Sequence, residues 1–415
     1  MKHQSTAETP SSIPTWETLE DFAREGVRHL LQHILEEEVN ELLGRARSER
    51  RPAVDPQPGY RNGYGRSRKL TLSNGTITIR RPRVRGLEQR FVSRVLPLFE
   101  RRTQAVGQLL PQLYLHGLAE GDFDLALRGL LGDGAPLSPP TIARLKTIWQ
   151  AEYDNWCLRP LHDLDVVYLW VDGIYVKAGL EKEKAALLTV IAARRDGRKV
   201  VLAVSPGQRE STDTWSAILR DLRQRGLNCP KLVVGDGHLG IWGALANVFP
   251  EAKEQRCWNH RIMNVLDKIS KKQQAQARAL LTRIPYAKTQ QEAEKLKRDF
   301  QAWCRKRGLE GAADLLDRDW ERTVTFYRFP QEHWQHLRTT NIVESPFAAV
   351  RLRTTAAKRY KKVANATAVI WKTLLVAEQS FERLNAAELL TDVADGIEYV
   401  NGKRVKKNKE RKVPA

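Results

Sequence analysis

The chain has 415 residues, of which 41 % are hydrophobic and 28 % are charged. This length predicts several domains, and the apolar content is sufficient for real hydrophobic cores. The sequence has no apolar run of about 18 residues, which a membrane span would need, and its first residues lack an apolar signal core. The four cysteines form no CxxC pair. We therefore expect a cytoplasmic protein with reduced thiols and no membrane span.

Charge is the most informative bulk property of the chain. Lys and Arg number 69 against 49 Asp and Glu, which gives a formal net charge of +20. Such an excess predicts a polyanionic partner, because each neutralised phosphate releases counterions. The basic residues concentrate in three blocks, at 61–90, 351–362 and from 401 onward. The alternative is a basic enzyme of ordinary kind whose charge runs are solvated faces.

The first hundred residues divide into two parts. Residues 1–15 are polar and contain prolines, and we expect them to be disordered. Residues 16–100 are predicted to form a helical and β-hairpin region for DNA binding or dimerisation. Apolar residues recur at helical spacing over 16–43, and Gly44 supplies a helix stop.

An Arg-, Gly- and Pro-rich segment, 45–69, predicts an extended arm. Two alternating runs follow it over 70–80 and flank Asn74-Gly75, which is a strong hairpin signal. The hairpin has either a purely structural role or a role in DNA contact. Its basic flank supplies three candidates for contact with the DNA backbone: Arg80, Arg81 and Arg83.

Residues 101–160 predict a helix-turn-helix-like domain. A Gly-rich turn at 132–136 precedes a helix over 141–156, whose start is marked by Ser138 and two prolines. The second helix of such a motif can enter a major groove, so Arg144 and Lys146 are candidates for DNA contact. A helical hairpin without DNA contact is the alternative.

The pattern over 161–260 predicts the first part of a catalytic α/β core. Its predicted elements are strands 166–172, 185–194 and 199–205, helix 211–225, strand 231–236, helix 239–248 and strand 252–257. Three antiparallel strands, a helix, a strand, a helix and a strand follow the ribonuclease-H-like order. Only helical periodicity follows, so we expect an all-helical insertion, the final part of the core and a basic tail, at 261–335, 336–385 and 386–415.

Two carboxylates mark the ends of predicted strands in this core, Asp172 and Asp236. Phosphodiester transfer with two Mg²⁺ ions needs converging carboxylates that hold the metals about 3.5–4 Å apart. If the two strands are neighbours, these carboxylates face each other. Taken singly, each Asp before a Gly is also typical of a turn. No Walker loop and no Gly-x-Ser-x-Gly motif occurs, so ATP use is not expected.

The segments LWVDGIYVK, LVVGDGHLG, RCWNH and LRTTNIVES resemble the catalytic motifs of bacterial Mutator-like insertion-sequence transposases. NGYGRSRKLTLSNGTITIRRPRVRG and LSPPTIARL fit the same family. The resemblance implies an Asp-Asp-Glu triad on a ribonuclease-H-like fold with a helical insertion before the Glu. At matching positions the triad is Asp172, Asp236 and Glu344, which would hold two Mg²⁺ ions, with Mn²⁺ as a substitute.

The resemblance also implies the reaction and the partners. The protein would bind the terminal inverted repeats of its element, cut them and join them to target DNA. Two ends must be held together, so at least a dimer is expected. The protein would lie in the cytoplasm of a bacterium, associated with the nucleoid. A non-cutting repressor of transposase descent and a structure-specific nuclease on the same fold are the alternatives.

Glu344 has a structural alternative of its own, because Asn341-x-x-Glu344 resembles a capping box. Pro346 opposes that interpretation, since a proline in the fifth helical position would lose a backbone hydrogen bond. A helix from Ser345 would place Glu344 just before it. The commoner family form has Pro after the Asn and a more basic stretch after the Glu.

Further residues are predicted to contact DNA or to support the site. Four basic side chains are expected on one face of the continuing helix: Arg351, Lys358, Arg359 and Lys362. Arg338 and Arg353 are two further candidates for DNA contact or for support of the site. Cys257 and His260 match the family's Cys-x-x-His signature, which provides only half of a zinc site. His260 and Trp258 either brace the site or contact the DNA end, while Cys257 packs after the fifth strand. His238 is a supporting or DNA-contacting residue, or a plain surface histidine.

Overall fold

A computed structural model describes most of the chain, namely residues 14–51, 54, 57–119, 122–131, 139–179, 184–207, 211–237 and 239–405. The chain divides into two compact units, one of residues 1–114 and 118–145, the other of residues 115–117 and 146–415. The predicted disorder of residues 1–13, the predicted turn at 132–136 and the end of the predicted basic tail lie outside the described residues.

The first unit opens with helix α1, Leu19–Leu43. It ends at Gly44, whose backbone is left-handed with φ of 60° and whose N–H reaches the Asn40 and Glu41 carbonyls. This agrees with the predicted helix and its stop.

Four strands of the first unit form two ribbons. Strands β1 (Tyr60–Tyr64) and β4 (Pro82–Arg85) pair antiparallel, so part of the predicted extended arm is a strand. Strands β2 (Arg68–Leu72) and β3 (Gly75–Ile79) form the predicted hairpin. Leu72 pairs with Gly75, so the turn lies on residues 73–74, one position before the predicted Asn-Gly centre. The hairpin and α1 share an apolar cluster: Leu35, Leu70, Ile77, Ile79 and Leu96.

Three helices follow the ribbons: α2 (Gln104–Leu115), α3 (Phe123–Leu131) and α4 (Pro139–Cys157). Helices α3 and α4 are the pair predicted as helix-turn-helix. The second half of α4 belongs to the second unit, where the Tyr153 hydroxyl donates to the Val204 carbonyl at 2.7 Å.

The second unit is built on a five-stranded sheet whose elements are β5 (Val166–Val176), β6 (Ala185–Arg194), β7 (Lys199–Gly207), α5 (Thr212–Gln224), β8 (Leu232–Gly235), α6 (Leu239–Val248) and β9 (Lys253–Arg256). The strand order is β7-β6-β5-β8-β9. Strand β6 is antiparallel to β5 and β7, while β8 is parallel to β5 and β9 to β8. The predicted order of strands and helices is therefore confirmed.

The two faces of this sheet are covered differently. On one face, buried residues of α5 and α6 such as Trp215, Leu219 and Leu245 form a core with alternate residues of the strands. On the other face, Tyr168 and Trp170 of β5 contact a later part of the chain. The Tyr168 hydroxyl lies 2.9 Å from the His333 ring, and the Trp170 indole donates to the His336 carbonyl at 2.8 Å. This face therefore receives the segment that leads to Glu344.

The chain after β9 is helical up to residue 378, as predicted. Its α-helices are α7 (Trp258–Leu266), α8 (Lys271–Leu281), α9 (Gln290–Arg305), α10 (Glu310–Asp317), α11 (Trp320–Thr323), α12 (Trp334–Leu337), α13 (Asn341–Glu344), α14 (Phe347–Ala357) and α15 (Val363–Glu378). The prediction that one helix continues through the basic block 351–362 is wrong. Helix α14 ends at Ala357, because Lys358 has a positive φ of 58°. Arg359 lies in the break, and Lys362 caps the next helix.

The beginning of the predicted basic tail is folded. Helix α16 (Leu389–Ala394) is followed by the strand pair β10 (Tyr399–Val400) and β11 (Lys403–Arg404). The Gly402 N–H donates to the Tyr327 carbonyl at 3.1 Å, which ties this hairpin to the helical segment. Residues 406–415 lie outside the described residues. Within the described part of the chain, every helix is too short or too polar to traverse a bilayer.

Candidate active site

Asp172 lies within β5 rather than at its end, where it was predicted. Strand β5 has 11 residues and stays paired with β6 past Asp172, which keeps the backbone extended. The parallel pairing with β8 ends earlier, at Trp170 opposite Val234. Asp172 therefore lies where the neighbouring strand stops, and its Oδ1 accepts a hydrogen bond of 2.8 Å from the Gly173 N–H.

Sheet register brings Asp172 and Asp236 to the same edge. The paired positions of β5 and β8 keep a constant offset, with Tyr168 opposite Leu232 and Trp170 opposite Val234. The same offset carried two residues further puts Asp172 opposite Asp236. Neighbouring strands lie about 4.8 Å apart, and side chains at paired positions share a face. By this extension of the register, both carboxylates are expected on one edge and one face of the sheet.

The next strand adds Cys257 to this row. Gly235 pairs with Arg256, and the Cys257 N–H donates to the Gly235 carbonyl at 2.8 Å, which extends the parallel register by one position. Helix α7 begins directly after Cys257. Its first turn carries His260, whose Nδ1 lies 3.3 Å from Asp236 Oδ1.

Glu344 reaches the same place from a distant part of the chain. Its Oε1 lies 3.9 Å from His260 Nδ1 and accepts a hydrogen bond from the Thr340 hydroxyl. Thr340 is fully buried, and its N–H and hydroxyl lie 3.3 and 3.2 Å from Cys257 Sγ. The Trp258 N–H donates to the Arg338 carbonyl at 2.8 Å, which fastens the two segments together.

The helix boundaries around Glu344 differ from the prediction. Glu344 is the last residue of α13, and the next helix begins at Phe347 behind Pro346 instead of at Ser345. The capping-box alternative does not hold, because the residue before the first turn is Thr340. The Asn341 side chain accepts a hydrogen bond of 3.0 Å from Asn259 instead.

The His260 ring faces the carboxylates of Asp236 and Glu344. Burial lowers the pKa of its imidazole, but the contacts with Cys257, Asp236 and Glu344 together outweigh that effect and raise the pKa to about 9. The ring therefore lies between two carboxylates at the sheet edge.

A partly buried ion network, which sequence reasoning missed, lies beneath the loop after Asp236. Gly237 has a φ of 98°, and a Cβ at this position would overlap the Arg256 side chain. Arg256 donates to the Asp319 carboxylate at 2.9 Å, and Arg322 donates to it at 2.8 Å. A glycine directly after the Asp was the only sequence signal of this close approach.

A profile of the family described as "Transposase, Mutator family" matches residues 2–383. The chain belongs to the Mutator family of transposases. It is 41 % identical to the transposase for insertion sequence element IS6120 of Mycolicibacterium smegmatis, over 72 % of this chain and 92 % of that one. The transposase for IST2 of Acidithiobacillus ferrooxidans is 38 % identical, over 67 % and 94 % of the two chains.

A solved structure, the Drosophila P element transposase strand transfer complex, aligns with 71 % of this chain and 85 % of its own at 14 % identity and a TM-score of 0.30. Membership of the Mutator family supports DNA transposition as the function of this transposase and DNA as its partner.

Three of the residues predicted near DNA are buried or half-buried in the transposase. Arg353 is only 1 % exposed, so of its two predicted roles, DNA contact or support of the site, burial favours support. Trp258 is 1 % exposed and its indole donates to the Thr323 carbonyl at 2.7 Å, which fits a bracing role. The Arg338 guanidinium lies over aromatic rings, 4.7 Å from the centre of Tyr286. His238 lies outside the described residues.

Other predicted DNA contacts have exposed side chains. In the second unit these are Arg351, Lys358, Arg359 and Lys362, and in the first unit Arg80, Arg83 and Arg144. Arg81 and Lys146 are half-buried, and Arg81 donates to the Phe91 carbonyl at 3.0 Å. The first unit also has a cavity of 290 Å³ whose lining includes six arginines: Arg66, Arg68, Arg81, Arg83, Arg85 and Arg90.

Proposed function

We propose that this transposase is an Asp-Asp-Glu enzyme with a ribonuclease-H-like core. It binds the terminal inverted repeats of its insertion sequence and catalyses metal-dependent strand cleavage and strand transfer. One observation carries the proposal. His260 lies within 4 Å of both Asp236 and Glu344, and extension of the β5–β8 register by two residues supports a position of Asp172 opposite Asp236. Strand order supports the core assignment, because β7-β6-β5-β8-β9 has the antiparallel-then-parallel arrangement of that fold.

The three carboxylates suit Mg²⁺. This ion prefers oxygen ligands and keeps several of its waters, so partly open carboxylates serve it better than a closed cage. The side chains of Asp236 and Glu344 are 24 % and 29 % exposed, which leaves room for such waters. Asp172, Asp236 and Glu344 would hold two Mg²⁺ ions, or Mn²⁺ in their place. When bound, the pair supplies charge stabilisation to the attacking and leaving oxygens of the phosphodiester.

The protein's own contribution is to hold the carboxylates still. Asp172 lies on a strand that is paired on both sides up to the site, and the Gly173 N–H fixes its carboxylate. Glu344 depends on the hydroxyl of a buried threonine, Thr340. Rigid ligands reduce the reorganisation that the reaction needs, because the charges already point to where new charge develops.

Both units offer surfaces for double-stranded DNA. Exposed basic residues around 351–362 follow Glu344 along the chain, and the first unit has the arginine-lined cavity. Synapsis of two ends requires two copies, and we propose that α1 supports self-association. Leu19, Phe22 and Leu30 on this helix are 44–57 % exposed, which is unusual for large apolar side chains. DNA binding would keep the protein at the nucleoid of a bacterial cytoplasm.

Cleavage of an element-end duplex tests the proposal. A labelled end fragment is incubated with Mg²⁺ and wild type, Asp172→Asn, Asp236→Asn or Glu344→Gln, and an exposed acid outside the site, Asp395→Asn, is the control. We expect nicked and joined products from wild type and the control alone, with binding retained throughout and falling steeply with salt.

Three outcomes would contradict the proposal. Equal product from Asp172→Asn would remove the triad assignment. Binding without product, with Mn²⁺ also tried, would favour a non-cutting DNA-binding protein. Cleavage that ignores the terminal sequence but depends on DNA shape would favour a structure-specific nuclease.

A further inference from the structure

Cys257 is a buried thiol at the edge of the carboxylate site for which Mg²⁺ chemistry has no use. Its thiol is free of any disulfide and its side chain is fully buried. The Thr340 N–H donates to the Cys257 Sγ at 3.3 Å, and the oxygen of the Thr340 hydroxyl, whose proton goes to Glu344, lies 3.2 Å from the same sulfur. A cysteine sulfur binds a metal ion after its proton has left.

Two further ligand types lie close to this sulfur. The sulfur of Cys257, a ring nitrogen of His260 and a carboxylate oxygen of Glu344 all lie within 4.8 Å of one another. A fourth candidate, Asp236 Oδ1, is 3.3 Å from His260 Nδ1. In a tetrahedral zinc site, bonds of about 2.0–2.3 Å place the ligand atoms about 3.3–3.7 Å apart. Side-chain rotations that move these atoms by about 1 Å would bring the first three ligand atoms to that spacing.

The donor set selects a class of metal. Thiolate and imidazole favour zinc-like cations, whereas Mg²⁺ binds oxygen almost exclusively. The three residues come from two segments that backbone hydrogen bonds hold in place, at Gly235–Cys257 and at Trp258–Arg338. The ligands are therefore partly preorganised without a metal.

We propose that Cys257, His260 and Glu344 form a binding site for a soft divalent cation of the zinc class, with a fourth position left to water or Asp236. Glu344 belongs to both sites and cannot serve both at once. Zinc therefore competes with the catalytic Mg²⁺ and switches strand cleavage off. The binding site stands on geometry alone, while the inhibition rests on the proposed function.

Cobalt reports directly on the proposed ligands. Co²⁺ added to the apoprotein should give a near-ultraviolet thiolate-to-cobalt charge-transfer band and intense visible bands of tetrahedral type. Cys257→Ser should lose the charge-transfer band and bind Zn²⁺ at least about 100-fold more weakly in a competition with a chelating dye. Cys304→Ser, which removes another fully buried thiol, should match wild type.

A second variant tests the same metal site if Cys257→Ser fails to fold. His260 is partly exposed, so His260→Gln should fold and should also weaken Co²⁺ binding. Absence of the charge-transfer band in wild type, its survival in Cys257→Ser, or unchanged affinity in His260→Gln would overturn the site. These optical readouts need no cleavage activity, so their failure is separate from failure of the proposed function.

The inhibition has its own measurement. With cleavage established, added Zn²⁺ should reduce the wild-type rate at fixed Mg²⁺, and excess Mg²⁺ should restore it. For Cys257→Ser, we expect the same Zn²⁺ concentration to leave the cleavage rate unchanged. The ratio of its rates with and without Zn²⁺ should therefore be near one. Equal sensitivity of the two proteins to Zn²⁺ would overturn the regulatory part of the proposal.

Discussion

The buried network at Asp319 offers a substitution that changes charge and little else. Asp319 has a left-handed backbone with φ of 55°, a conformation that Asn adopts as readily as Asp. Its carboxylate accepts from Arg256 and Arg322, and Arg261, which is fully buried, lies 3.9 Å away. Asp319→Asn keeps the shape and the backbone but leaves these guanidinium groups without their shared anion.

The cost of this substitution follows from the burial of its partners. Removal of one partner from a buried ion pair destabilises a protein by about 3–5 kcal/mol. The Asp319 side chain is 24 % exposed and Arg322 keeps a second acid, Glu254, so we expect the lower end, about 3 kcal/mol. A loss of 1 kcal/mol lowers the melting temperature of a unit of this size by about 2–4 °C. Asp319→Asn should therefore melt about 6–12 °C below wild type.

Thermal unfolding followed by circular dichroism measures this shift. The matched control is Asp395→Asn, since Asp395 pairs with Arg195 on the surface and the melting temperature should hardly move. Cleavage well below the melting temperature should also fall in Asp319→Asn, because Arg256 packs against Gly237 beside a catalytic carboxylate. Equal melting temperatures for the two Asp→Asn variants would refute the reasoning.

Three further predictions address the site and its surroundings. Gly237→Ala should lower the melting temperature and abolish cleavage, because its positive φ strains any side chain by about 1–3 kcal/mol and a Cβ overlaps the adjacent arginine. Thr340→Val should reduce cleavage about tenfold, or about 1.4 kcal/mol, while DNA binding persists, since the catalytic glutamate loses its hydroxyl donor. Burial and the nearby Lys199 and His333 lower the pKa of His336 to about 4, so stability should fall as the pH drops from about 6.5 towards 4.

Each of these predictions has a matched comparison. Gly179→Ala also has a positive φ but no atom near its Cβ, so it should show backbone strain without loss of cleavage. Thr373→Val removes a buried hydroxyl that bonds only within its helix, so cleavage should stay intact. For His336, melting temperatures of His336→Gln should depend less on pH over that window. Identical behaviour within any pair would contradict the corresponding prediction.

Secondary structure in the second unit could be predicted because its signals are local. Continuous apolar runs predicted β5 to β7, and helical spacing placed Trp215, Ile218, Leu219 and Leu222 of α5 inward, where all four are buried. The break at Lys358 was missed because nothing there resembles a stop. Neither Gly nor Pro occurs at 358, yet the residue has a positive φ.

A charge run also gives no information about which of its side chains are exposed. Arg351 and Arg353 belong to the same basic block, but one is exposed and the other is 1 % exposed. Two residues along a helix correspond to a rotation of about 200°, so these two arginines point in opposite directions. Membership of a basic block therefore does not show whether a given side chain reaches the surface.

The contacts that complete the site were beyond sequence reasoning for a different reason. The Asp pair follows from strand order and register, which local patterns constrain. Thr340 and Asp319, in contrast, act through residues more than 60 positions away in the chain, such as Cys257 and Arg256. A single sequence contains no record of which distant residues meet.

The three carboxylates are held by different kinds of interaction, and this difference has a consequence. Asp172 lies on strand β5, which stays paired with β6 past this residue, and Asp236 directly follows the last residue of β8. Glu344 lies in the short helix α13, where its N–H donates to the Thr340 carbonyl at 3.0 Å and its carboxylate accepts from the Thr340 hydroxyl. A backbone bond from Trp258 to Arg338 joins this segment to α7. Local unfolding begins where a segment has the fewest buried contacts. Glu344 is therefore the carboxylate whose position depends on the helical segment rather than on the sheet, and a cation that binds Cys257 and His260 would act on this carboxylate.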